Sequence, residues 1–128
     1  MKKLLLASRN MGKCREMRVL LQPLGVEIID VFELGNDVCV DEIGKTYAEN
    51  ASLKAGVFAE HFQIWAIGDD TGLEVDALDG APGLHSARLA GPGGSDGDRR
   101  KTLLSLLGAH SRPWTACFRC VVALAGPE

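Results

Sequence analysis

Four short stretches of this sequence carry residue types that could do chemistry together. The first, Ser8-Arg9-Asn10-Met11-Gly12-Lys13, lies between an apolar run and a helix-like stretch. A helix N-terminus offers unpaired N–H groups and a partial positive charge, which favours phosphate. Arg9 and Lys13 add full charges, while Cys14 directly after Lys13 and the glycine spacing exclude a Walker A loop. The second, Asp69-Asp70-Thr71, follows a later apolar run, and ligands of α/β sheets bind outside the carboxyl ends of strands. Adjacent carboxylates are hard-oxygen donors suited to Mg²⁺, which keeps several waters and takes only one or two protein carboxylates. With Gly72 the same residues also read as an Asx-type turn. The third is Asp41-Glu42 ahead of a helix on which Asn50 and Lys54, four apart, present an amide and an ammonium side by side. In the fourth, Gly80-Ala81-Pro82-Gly83 leads to Ser86-Ala87-Arg88, where a rigid turn could set a guanidinium over an anion. Each stretch alone also reads as a solvated loop or helix face. Taken together, carboxylates for a metal and cations for phosphate are the paired needs of phosphoryl chemistry. His61, His85 and His110 form no Ser-His-Asp or Cys-His arrangement.

Elements must position these groups, and the chain offers enough of them for one domain over residues 1–128. Its 128 residues are 46% hydrophobic and 24% charged, ordinary values for a globular chain. With 14 basic and 17 acidic residues the net charge is −3, which argues against gripping a long nucleic acid by its backbone. No stretch approaches the roughly 18 apolar residues of a membrane span. Lys3–Ala7 reads as a first strand, then Ser8–Lys13 as a turn-like loop and Cys14, Met17 and Leu21 as one face of a helix ending near Pro23 and Gly25. Val26–Phe32 reads as a second strand and Gly35–Lys45 as an acidic loop. Thr46 and Glu49 form a capping box that opens a helix to about Phe62. Ile64–Gly68 and Leu73–Leu78 read as two further strands separated by a turn at Asp69–Gly72. Gly80–Gly97 is loop-rich, Ser95 and Asp98 cap a helix that stops at Gly108, and Thr115–Ala125 is a final strand. Cys117-x-x-Cys120 lies on that strand, where side chains three apart face opposite ways, so the four cysteines read as buried free thiols in a reducing cytoplasm.

These stretches, in this order, resemble the Ham1/RdgB-type inosine/xanthosine triphosphate pyrophosphatases. The resemblance covers essentially the whole chain. It includes Leu6 to Lys13 with Glu16, and Asp41 to Thr46 with Glu49-Asn50-Ala51 and Lys54-Ala55. Its strongest block is Asp69-Asp70-Thr71-Gly72-Leu73-Glu74-Val75-Asp76-Ala77-Leu78, with Gly80 to Gly83 and Ser86-Ala87-Arg88. It implies an α/β three-layer sandwich with a mixed central sheet, and Mg²⁺-dependent hydrolysis of ITP, dITP or XTP to the monophosphate and pyrophosphate. It further implies that Ser8, Arg9, Asn10, Met11, Gly12 and Lys13 wrap the triphosphate, and that Lys54 and Arg88 help neutralise it. Glu42 and Asp70 would hold the metal, Asp69 would support the metal shell, Asp70 would activate water and Thr71 would contact substrate. A cytoplasmic homodimer is the implied setting.

The family pattern continues past Glu128 with a Phe-Gly-Tyr-Asp-type segment, a lysine and a Ser-His-Arg segment that grip the base. The expectation is therefore a domain short at its carboxyl end, with Thr115–Ala125 as an uncovered strand able to pair with a second copy. Two alternatives accompany it. One is a shortened relative that binds nucleotides or self-associates without catalysis. The other is a Maf-type nucleotide pyrophosphatase, whose opening shares Leu6-Ala7-Ser8 but continues Ser-Pro-Arg-Arg.

Overall fold

The computed structural model describes residues 2–35, 38–91 and 93–128. Asn36 and Asp37 of the acidic loop, Pro92 of the glycine-rich loop, and Met1 lie outside the described residues. The described elements are β1 (Lys3–Leu6), α1 (Met11–Leu21), β2 (Glu27–Asp30), α2 (Tyr47–Phe62), β3 (Trp65–Val75), α3 (Asp96–Leu107) and β4 (Ala116–Ala125), with short 3-10 helices between some of them. The strands form a mixed four-stranded sheet in the order β2-β1-β3-β4, as the resemblance implied. β1 is parallel to both its neighbours, with Leu5 opposite Ile29 on one side and Ala66 on the other. A central parallel strand is covered on both faces and reads as an unbroken apolar run. Leu4, Leu5 and Leu6 are accordingly all buried.

By its internal contacts the chain divides into two compact units, Met1–Asp70 with Val121–Glu128, and Thr71–Cys120. The core of the first unit joins Leu5, Ala7, Ile29, Val31 and Ala66 to Phe58 and Ala59 of α2. On α2 the small residues Ala51, Ala55 and Ala59 recur every four positions, and all three are fully buried. That stripe lets β3 approach closely. A Cβ built on Gly68 would stand 2.6 Å from the Ala51 carbonyl oxygen and 2.8 Å from the Ala55 nitrogen. Arg18 pins α1 to β2, donating to the Ile28 carbonyl and the Asp30 carboxylate at 2.9 Å each, and also to Glu33. Burial pushes the Asp30 carboxyl up, but hydrogen bonds from Arg18 and the Glu33 N–H outweigh it and hold the group below its ordinary range. Within the second unit, Ser86 accepts from the Leu73 N–H at 2.9 Å, and Ser95 and Asp98 complete a reciprocal capping box on α3.

Several boundaries differ from the expectations. α1 begins at Met11 rather than after Lys13, because the Asn10 side chain accepts from the Lys13 N–H at 3.1 Å and caps the helix there. The Thr46 box is only half formed. Thr46 accepts from the Glu49 N–H, but the Glu49 carboxylate reaches past it to the Lys45 N–H at 2.6 Å. The largest correction is at Asp69–Gly72, which is no turn. β3 runs through it unbroken, and the expected fourth strand ends at Val75, with Asp76–Leu78 a 3-10 helix. Tertiary partners for both aspartates override their turn preference. Of the cysteines only Cys14 is buried; Cys39, Cys117 and Cys120 are free and exposed, against the buried-thiol expectation.

Candidate active site

β3 carries the two aspartates, and strand geometry sends neighbouring side chains to opposite faces. Gly68 and Asp70 face α2, whereas Asp69 reaches Lys13 on α1. The adjacent carboxylates therefore do not converge on one point, as a turn would have let them. Asp69 is buried, and its Oδ2 lies 2.6 Å from the Lys13 ammonium. Asp70 is also buried, at 8% exposure, and its Oδ2 accepts from the Asn50 amide at 3.1 Å. Among the described residues no cation pairs with Asp70.

α2 organises the other side. Its buried face begins with Asn50, and Lys54 stands one turn further along. Together they hold the loop before the helix. Lys54 Nζ lies 2.6 Å from Glu42 Oε1, and the Gly44 N–H donates to Asn50 Oδ1 at 2.8 Å. The loop approaches so closely that a Cβ on Gly44 would stand 2.5 Å from Asn50 Oδ1. Asn50, Lys54, Glu42 and Asp70 are thus linked through one helix face.

The stretch between β1 and α1 also forms a built structure. Ser8 is buried and accepts from the Asn10 N–H at 3.1 Å, while the Arg9 guanidinium donates to the Val38 carbonyl. Asn10 caps α1, Met11 stands exposed on its first turn, and Gly12 keeps that turn narrow, since a Cβ there would meet Asn10 Oδ1 at 3.2 Å. The helix dipole adds partial positive charge where Lys13 already supplies a full one. Cys14 is no nucleophile here. Burial first, and then the charge of Asp30, push its thiol up, away from the reactive thiolate.

Two of the expected residues, Thr71 and Arg88, fall in the second unit. Thr71 follows Asp70 directly on β3, half-buried, and belongs to the second unit. Arg88 ends the 3-10 helix Gly83–Arg88 of that unit and is exposed. Asn50 stands out in the sequence beside Lys54 by helical spacing, but no role in the site was expected of it. Its signal was an asparagine inside an otherwise apolar helix face, where an amide is unfavourable unless it has a fixed partner.

Among the described residues no three of His, Cys, Asp and Glu gather into a metal cage. Mg²⁺ needs no such cage when a polyphosphate and waters complete its shell. The donor set suits it on one observation: Asp70 is a buried carboxylate with a single amide donor, and an ionised group so placed is costly without a counter-charge. The fit rests on Asp70 and Glu42. The expectation for Asp69 as part of that shell meets a carboxylate on the other face of β3, bound to Lys13.

A family model described as the Ham1 family matches residues 4–128. The chain is 47% identical over 127 residues to a protein of Desulforamulus reducens named dITP/XTP pyrophosphatase, covering 98% of this chain and 63% of that one. A protein of the same name from an Exiguobacterium species is 45% identical over 126 residues, covering 98% and 64%. Among solved structures, a HAM1 protein from Coxiella burnetii matches with a TM-score of 0.84 at 38% identity, covering all of this chain and 65% of the other. The Ham1 protein of Staphylococcus aureus matches at 0.81 and 40% identity, covering 98% and 64%. The chain spans a little under two thirds of the length of these relatives.

Proposed function

Because the chain belongs to the Ham1 family, we propose that it hydrolyses non-standard purine nucleoside triphosphates (dITP, ITP or XTP) to the monophosphate and pyrophosphate. The substrate class is supported by the relatives named dITP/XTP pyrophosphatase. The observation that carries the reaction type is Asp70, a buried carboxylate of β3 without a cation among the described residues, bonded to Asn50 of the helix that also presents Lys54. Asp70 and Glu42 would hold Mg²⁺. When bound, the ion would offset charge on the phosphate oxygens and the leaving pyrophosphate.

The chain's own residues do the rest. Asp70 orients and deprotonates the water aimed at the α-phosphorus. The N–H groups and side chains of Ser8 to Lys13 wrap the triphosphate, with Arg9, Lys13, Lys54 and Arg88 supplying positive charge. Thr71 contacts the substrate beside Asp70. Lys13 and Lys54 contact Asp69 and Glu42 at 2.6 Å each. Substrate binding exchanges these partners: the ammoniums turn to phosphate oxygens and the Glu42 carboxylate is released for the cation. Asp69 is the resting anchor that keeps Lys13 extended. The reading also takes the chain as one catalytic domain acting in the cytoplasm, where the nucleotide pool is. It includes a homodimer through β4, on which Phe118, Val122 and Leu124 are exposed.

The test is pyrophosphate release from ITP, dITP, XTP and ATP with Mg²⁺. The first three are expected to turn over and ATP to lag well behind; turnover no higher than that of an Asp70→Asn control overturns the reading.

The exchange makes its own prediction at Lys13. Lys13→Met is expected to raise KM for the triphosphate by roughly 10- to 100-fold, the loss of one or two charge-assisted contacts. It also takes the ammonium away from the buried Asp69 carboxylate, so the melting midpoint falls as well. Adding Asp69→Asn restores the midpoint and leaves KM high. A double variant with normal KM would show that Lys13 serves only Asp69.

A further inference from the structure

Asn50 is an amide at 3% exposure, and both ends of its side chain are engaged. Its Oδ1 accepts from the Gly44 N–H at 2.8 Å, which leaves only the NH₂ end for Asp70, 3.1 Å away. The orientation is locked. Turning the amide over would set its oxygen against a carboxylate and its NH₂ against a backbone N–H. Gly44 is what brings the lock within reach, since any side chain there would collide with Asn50 Oδ1. One turn further on, Lys54 holds Glu42 of the same loop. A single helical turn thus sets the position of both carboxylates.

We propose that Asn50 is a positioning residue, which aims the Asp70 carboxylate and ties it to the loop bearing Glu42. The proposal rests on the reading that Asp70 is the reacting carboxylate. Oδ2 accepts from the amide, which restrains rotation of the carboxyl group and leaves Oδ1 as the oxygen to act. A carboxylate free to rotate would spend most of its time misaimed, and small misplacements of reacting groups cost about 10²-fold in rate.

Four variants test this: Asn50→Leu, Asn50→Asp, Asp70→Asn and the exchanged pair Asn50→Asp with Asp70→Asn. Melting midpoints and kcat and KM per folded molecule are read for each. Asn50→Leu keeps the side chain's size and is expected to lower kcat about 100-fold with KM within about 3-fold. Asn50→Asp sets two carboxylates against each other and is expected to lower the midpoint by roughly 10 °C. In the exchanged pair, residue 70 supplies the amide donor and residue 50 the carboxylate, which still accepts from Gly44. Its midpoint is expected to return close to that of the native chain, while activity stays at the Asp70→Asn level.

Additive midpoint shifts, with the exchanged pair no better than the sum of its parts, would overturn the pairing. An Asn50→Leu protein with native kcat per folded molecule would overturn the positioning role and leave Asn50 a structural residue. A native chain that releases no pyrophosphate defeats the proposed function instead, and the pairing then stands or falls on the midpoints alone.

Discussion

Asp70→Asn is expected to lower kcat for pyrophosphate release by about 10³-fold or more, yet leave the melting midpoint within a few degrees. The two halves have different causes. The carboxylate is asked both to hold a cation and to take a proton from water, and general-base contributions alone reach about 10²–10⁴-fold. An amide of the same shape can do neither. Stability should hardly suffer, because Asp70 is a buried charge with one amide donor and no cation among the described residues. Neutralising it removes a desolvation cost while a hydrogen bond with Asn50 is kept. Loss of activity accompanied by an equal loss of folded protein would show that Asp70 is structural. Kinetics on the soluble variant beside a thermal melt distinguish the outcomes.

The second large effect is structural. Gly68→Ala is expected to cost about 3 kcal/mol, since the added methyl meets backbone atoms of α2 that cannot swing aside as a side chain could. The clash is at 2.6 Å with the Ala51 carbonyl oxygen and 2.8 Å with the Ala55 nitrogen. In a chain of this size the melting midpoint should fall by roughly 10 °C. Gly56 in the same helix provides the control, because a Cβ there meets nothing within 4 Å. Gly56→Ala should stabilise by about 0.5–1 kcal/mol through helix propensity. If both alanines shift the midpoint equally, α2 and β3 do not lie as close as described. Activity of folded Gly68→Ala is expected to fall too, since pushing α2 back withdraws Asn50 from Asp70.

What could be read in advance follows from how local each signal is. β1 declared itself, because a run such as Leu4-Leu5-Leu6-Ala7 has no polar face to expose. The capping of α3 by Ser95 and Asp98 was equally legible, being a contact across three residues. Asp69-Asp70-Thr71-Gly72 misled, since its turn chemistry is local while the contacts that hold it as a strand come from Lys13 and Asn50, 56 and 20 residues away. The same distance explains the site. Charged residues could be picked out by type, and Asn50 with Lys54 by helical spacing. That Lys13 takes Asp69 depends on which face of β3 the carboxylate occupies, and that Lys54 takes Glu42 on how the loop folds back against α2. A one-residue shift in the register of β3 would have exchanged the roles of Asp69 and Asp70.

One assay bears on the centre of all this: incubation of the chain with dITP in H₂¹⁸O, with and without Mg²⁺, followed by identification of the products. Attack at the α-phosphorus by water aimed from Asp70 predicts equal amounts of dIMP and pyrophosphate, with the label in dIMP, and turnover only when Mg²⁺ is present. Release of orthophosphate, label in the pyrophosphate, or undiminished turnover with Mg²⁺ removed would contradict it.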